Sequence, residues 1–350
     1  MKLSARMLAS VLLLAGTALL AQPVVDKEKM TIAAPEADRR GIEQTYLTYP
    51  EWFLVFSSAE YADWVKHDPP ETFPFVGHVR QFWRGYGYVD AATRAYPRND
   101  EYHTMIRVIG ASTTLEYSMR VGYESLIGRL SNATAVYGTT AEDRLAAQVA
   151  QEYVDFIRLR PWYEFDFGAR LKQVWSDTGW WGDGALRKWE RKYALTTEYG
   201  AKALYGWAIG MATHASYGVA TDNTVVALRD VPTDVATQLP LFKVLGTQAD
   251  ASVLASLPRY EPFTHYAQVL SAAGAHFVEI AGNRGAILVT AWAPVDWQVP
   301  AEFGNLLFAE PIMTQPQFRR VALQVPVAAL DRAVATLSQP PFKLEHVFDY

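Results

Sequence analysis

The sequence predicts a mixed architecture: an aromatic-rich all-α N-terminal domain followed by an α+β C-terminal domain. Two observations carry this expectation. Nine of the eleven tryptophans, from Trp52 to Trp207, precede residue 210, and after Tyr217 the only tyrosines are Tyr260, Tyr266 and Tyr350. Apolar residues also recur at helical spacing before residue 220 and in short runs after it. The expected units are a segment 1–21, a helical domain 30–220 and an α+β domain 221–350. Half of the residues are hydrophobic, enough to supply a large core.

The first residues pair Lys2 and Arg6 with an uncharged apolar run from Met7 to Ala21. A cationic start before an apolar stretch reads as a signal peptide or an N-terminal anchor, with Gly16-Thr17-Ala18 as a cleavage site. The expected location is therefore exported, periplasmic or membrane-anchored with the body outside the cytoplasm.

In the helical part, Ser57-Ser58-Ala59-Glu60 has the residue types of a capping box. Asn99 caps a long stretch to about Leu130, and Thr140 with Asp143 opens a helix bearing Leu145, Val149 and Tyr153 on one face. Leu186 to Tyr217 reads as one long helix or two. In the second part, Leu241–Leu245, Phe277–Ala281, Ala286–Trp292, Asn305–Met313, Arg319–Val325 and Lys343–Phe348 read as strands. Helices are expected over Pro262–Ala273 and Ala328–Leu337, and Gly282-Asn283-Arg284-Gly285 as a tight turn pairing its flanking strands. A ferredoxin-like arrangement is the nearest simple topology. No internal repeat is visible.

Absence of cysteine excludes a disulfide scaffold, a thiol nucleophile and a thiolate zinc site. The net charge of −5 and the lack of a basic stripe argue against a nucleic-acid partner. No Gly-x-Ser-x-Gly elbow, His-Glu-x-x-His or phosphate-binding glycine loop is present. The seven histidines form no i, i+4 pair; Glu261 with His265 and Asp100 with His103 supply two ligands apiece, short of what a metal needs. Neither a metal nor a cofactor is expected.

Tyr46 to Phe53 places Glu51 among aromatic rings beside Pro50. Burial there would raise its pKa and fit it for acid chemistry, whereas a plain helix start would use it to complement the dipole. Tyr49, Trp52, His78, Arg80 and Trp83 are the expected ligand-binding neighbours. Glu116, Arg120 and Glu124 form an i, i+4, i+8 ladder, read as a solvated face or as a charged lining. Glu198 with Lys202 and Asp166 with Arg170 repeat the spacing. Glu51, Glu116 and Glu124 are the acids a catalytic role would use. Residues 199–220 carry Gly206 and Gly210 in a Gly-x-x-x-Gly step within a nearly apolar run, so membrane association through residues 7–21, and more weakly through 199–220, is a further expectation. Together these features point to a cell-envelope protein that binds a small molecule, glycan or envelope protein. The alternatives are an exported hydrolase acting on envelope glycan through paired carboxylates, and a membrane-embedded assembly factor.

Overall fold

The computed structural model describes residues 32–135, 138–216 and 222–350. The segment 1–21, expected to direct export, and the boundary expected near residue 220 lie outside these residues. From the N-terminus come α1 (Gln44–Leu47), α2 (Tyr49–Trp64), α3 (Phe75–Thr93), α4 (Asp100–Tyr123), α5 (Arg129–Asn132), α6 (Ala141–Ile157), α7 (Phe167–Ser176) and α8 (Ala185–Ser216). A π-helical turn, Glu124–Gly128, joins α4 to α5. Then follow β1 (Asn223–Arg229), α9 (Val235–Gln238), β2 (Lys243–Thr247), β3 (Val253–Pro258), α10 (Glu261–Ala272), β4 (His276–Ile280), β5 (Ala286–Pro294), β6 (Asn305–Pro311), β7 (Phe318–Pro326), α11 (Leu330–Leu337) and β8 (Lys343–Val347). Helices followed by antiparallel sheets are the class the composition shift predicts.

Local chemistry sets the helix starts. The Asn99 side chain accepts from the Tyr102 amide at 3.0 Å, and Thr140 with Asp143 completes a reciprocal capping box. Asp166, read as one half of a surface pair, instead caps α7 through the Ala169 amide at 2.8 Å. The Ser57–Glu60 capping box is corrected. Both residues lie inside α2, where Ser57 meets the Tyr117 hydroxyl at 2.8 Å and Glu60 points into the interior. The helix begins eight residues earlier, at Tyr49, so Ser57 has no orphan amide to cap.

Two four-stranded antiparallel sheets follow, ordered β2-β3-β1-β4 and β6-β7-β5-β8. Each is connected strand, crossover, two strands, helix, strand. The first crossover holds α9; the second holds only a 3-10 turn at Ala301–Phe303. The Gly282–Gly285 turn does not close a hairpin. β4 pairs with β1, whereas β5 pairs with β7 and β8, so the turn carries the chain from one sheet to the next. Its residue types dictate a reversal, with Ala281 and Gly282 at positive φ, but they do not dictate the pairing partner.

One buried cluster joins both sheets to α10 and α11 through Val226, Leu257, Phe263, Leu270, Val289, Leu323 and Val334. The opposite face of the second sheet, with Leu288, Phe308 and Ala322, packs on Tyr49, Phe53 and Phe82 of α2 and α3. Helices and sheet therefore share a core across the change of composition, within the compact unit Ala33–Tyr350. Each such buried ring contributes about 1.5–3 kcal/mol. α2 and α3 cross closely because Gly85 has no Cβ, which would lie 2.6 Å from the Tyr49 ring. Gly85→Ala is expected to cost about 1–3 kcal/mol by overpacking, measurable by denaturant unfolding. An unchanged midpoint would mean that the crossing relaxes freely.

Candidate functional site

A polar seam lies in the interior between α2, α3 and the second sheet. Arg320 of β7 is fully buried and holds two carboxylates. Its Nη2 donates to Glu60 Oε1 of α2 at 2.8 Å, and its Nε donates to Glu345 Oε2 of β8 at 2.7 Å. Phe56 lies 4.8 Å from the guanidinium, and Trp292 Nε1 donates to Glu345. Thr314 donates to Glu60 Oε2 at 3.1 Å. Beside them, Arg84 pairs with Glu310 at 2.6 Å, and Gln81 Nε2 donates to the Pro311 carbonyl at 2.7 Å. Alternation along β7 places Arg320 and Ala322 toward the helices, while Val321 and Leu323 enter the inter-sheet core.

His78 stacks on Phe73 at 4.6 Å in the same seam, with Nε2 3.6 Å from Glu60. Burial, and then the Arg320 charge, push its imidazole down to about 3, so it is neutral and the Glu60 contact is not an ion pair. Burial works against the Arg320 charge, but Glu345 and Glu60 more than offset it and hold the guanidinium above its ordinary range. Burial also raises the Tyr49 phenol. Among the described residues, Tyr49 Oη, both His78 ring nitrogens, Gln81 Oε1, Thr290 Oγ1, Glu310 Oε1 and Arg320 Nη1 make no hydrogen bond to protein. The seam is closed to solvent at His78 and Arg320. Its chemistry is that of a polar anchor docking the helices onto the sheet.

The sequence-chosen residues separate into different surroundings. Glu51, in the first turn of α2, is raised to about 7 by burial, with the Tyr102 hydroxyl and the Arg259 charge acting the other way. Trp52 stacks on His346 with ring centroids 3.5 Å apart, and His346 Nδ1 meets Thr264 Oγ1 at 3.1 Å. Trp83 is turned outward, its Nε1 donating to Thr114 at 2.9 Å. Arg80 and Glu124 both line an open groove of about 250 Å³, with Glu71, Phe73, Phe75 and Val121. Glu124 is already held by both Arg191 terminal nitrogens at 3.0 Å each. Asp100 pairs with Arg98 at 2.7 Å rather than with His103, and Glu261 faces His346 at 3.8 Å, so the expected local Asp–His and Glu–His pairs do not form.

The Glu116–Arg120–Glu124 ladder turns toward α8, with Glu116 still partly exposed. Arg120 bonds Glu198, Glu116 meets Lys202 Nζ at 3.1 Å, and Glu124 meets Arg191. The basic cluster at the start of α8 is buried too: Arg187 pairs with Asp143 at 3.0 Å, Lys188 with Glu142 at 3.1 Å, and Lys192 donates to the Val174 carbonyl at 2.9 Å. It therefore forms no exposed cationic flank. Gly206 lets the Trp162–Glu164 turn approach, since a Cβ there would lie 3.2 Å from the Tyr163 carbonyl oxygen. No group of three or more His, Asp or Glu among the described residues is placed to hold a metal ion. No family model matches the chain, and no curated protein or solved structure matches it.

Sequence reasoning missed Glu60, Arg320 and Glu345. The available signal was Arg320 at the head of the apolar run Val321–Val325. A run buried on both faces leaves an arginine there no exit to water, so it needs internal carboxylates.

Proposed function

We propose that this is an exported or membrane-tethered cell-envelope protein that binds a partner without catalysing a reaction, and meets it through the outer face of α4 and α8. The observation supporting this is an inversion of polarity. Leu115 and Met119 on α4, and Leu204, Trp207 and Met211 on α8, are each about 60% exposed or more, while Glu116, Arg120, Glu198 and Lys202 of the same helices pair with one another. A contiguous apolar surface on a folded protein marks an interaction site. Behind it, the two sheets act as a scaffold of tandem ferredoxin-like units. Glycan hydrolysis would instead need two carboxylates about 5–10 Å apart beside open space; Glu116 and Glu124 are occupied by Lys202 and Arg191.

Two measurements test the proposal. Residues 1–40 fused to a reporter active only outside the cytoplasm should give signal; an inactive reporter with soluble cytoplasmic product would refute export. Separately, the full chain should associate with itself or with envelope material, and Leu115→Glu with Leu204→Glu should release it with little change in unfolding midpoint. A wild-type chain that stays monomeric and unassociated would end the binding proposal.

A further inference from the structure

We propose that the partner of the α4–α8 face is lipid hydrocarbon, against which the paired helices lie with their ion pairs turned inward. This rests on the binding proposal above and names the partner's chemistry.

Between Arg107 and Arg129 every charge is drawn toward α8: Arg120 and Glu124 by Glu198 and Arg191, and Glu116, still partly exposed, by Lys202 at 3.1 Å. The outward positions there are Val108, Leu115, Met119, Leu126 and Ile127, with small residues between them. Such a strip, apolar outside and charged only within, is what a helix lying in the plane of a bilayer presents to the headgroup–acyl boundary. The ion pairs run 116 to 202, 120 to 198 and 124 to 191, so α8 lies antiparallel to α4. From Tyr193 to Met211, α8 likewise exposes Leu204, Tyr205 and Trp207 while Glu198 and Lys202 turn inward.

The ends of the strip carry what a lipid boundary favours. Arg107 and Arg129 are exposed at its two limits, where long stems reach from hydrocarbon to headgroups. Trp180 and Trp181 are exposed close to the N-terminus of α8, which packs beside Gly128 and Ser131, and such rings prefer the headgroup level. A second copy of the chain would not require this aromatic and arginine border. No helix among the described residues is long and apolar enough to cross a membrane, and none has to, because hydrocarbon meets one face only. The net charge of −5 gives no electrostatic pull toward anionic lipid, so the contact is apolar and should survive high salt.

The cysteine-free chain allows a direct test. Leu115→Cys, Leu204→Cys and, as a control on the exposed side of the Ala301–Phe303 turn, Glu302→Cys are made in the full chain and labelled with a polarity-sensitive fluorophore. On addition of phosphatidylcholine vesicles, in low or high salt, the 115 and 204 probes should shift to the blue and be quenched by lipids carrying a spin label in the acyl chain. The 302 probe should not respond. Binding through residues 7–21 alone would leave all three probes in water and would overturn the proposal. Probes that shift without lipid, in step with a concentration-dependent dimer, would also overturn it while leaving a partner-binding face intact. Probes that stay in water in a monomer, with and without vesicles, would sink both.

Discussion

Arg320→Met is expected to destabilise the protein by about 3–5 kcal/mol at neutral pH, because it strands two carboxylates in a closed seam. Glu60 and Glu345 both bond the guanidinium, and both are at least nine-tenths buried. Met fills a similar volume, so packing loss is a minor part of the cost. The deficit should shrink as pH falls, because each stranded carboxylate binds a proton more readily when folded than when unfolded, and stability is then lost as pH rises. Adding Glu60→Gln and Glu345→Gln to Arg320→Met should recover part of the loss, the mark of a coupled group. Denaturant unfolding of the single and triple variants at two pH values measures this. A single-variant loss below about 1 kcal/mol would mean that water reaches the seam.

The seam shows what could and could not be read from the chain. Tyr49 and Trp52 stand out by their aromatic and proline surroundings and His78 by its nearness in sequence, and all three pack at or beside this helix–sheet contact. Their partners were not visible, because Glu60 and Arg320 lie 260 residues apart and only the fold brings them together. Glu51, His78 and Arg80, close in sequence, face Tyr102, Glu60 and the Glu124 groove respectively. Helical spacing states that Glu116, Arg120 and Glu124 share a face, not which way that face looks. Here it looks inward, onto the charges of α8.

The fold divides along the same line. Capping residues locate the starts of α4 and α6, an apolar stripe supports α6, and α8 lies within the long helical stretch read over 186–217, since these signals are local. β2 and the strands from β4 onward are legible as short apolar runs. β1 and β3 were missed: β1 is buried on both faces, so Thr224–Leu228 shows no alternation, and β3 is interrupted by Ala255 and Ser256. The repeated strand order of the two sheets leaves no visible sequence repeat, because connectivity constrains only where apolar residues fall.

Glu51→Gln is expected to stabilise the protein at pH 8 by up to about 3 kcal/mol and to leave it nearly unchanged at pH 4. The motivation is a carboxyl raised by burial to about 7 from an ordinary 4.5. The sign follows from proton binding. Between 4.5 and 7 the folded state holds a proton that the unfolded state has lost, so this group's stabilisation is complete below 4.5 and is lost as pH rises through 7. Above 7 the folded chain carries a desolvated charge that glutamine removes. A helix-start role alone would give the opposite result, a loss of about 0.3–1 kcal/mol from a weakened dipole interaction. The wild-type curve by itself would hide the effect, because His78, lowered to about 3, loses stability as pH falls below its ordinary 6.5 and offsets the gain at Glu51. The informative quantity is therefore the variant-minus-wild-type difference at pH 4 and pH 8, from which the His78 contribution cancels. A difference that is negative at pH 8 assigns Glu51 to the helix start, whereas one that rises with pH keeps it as a buried acid poised near neutrality.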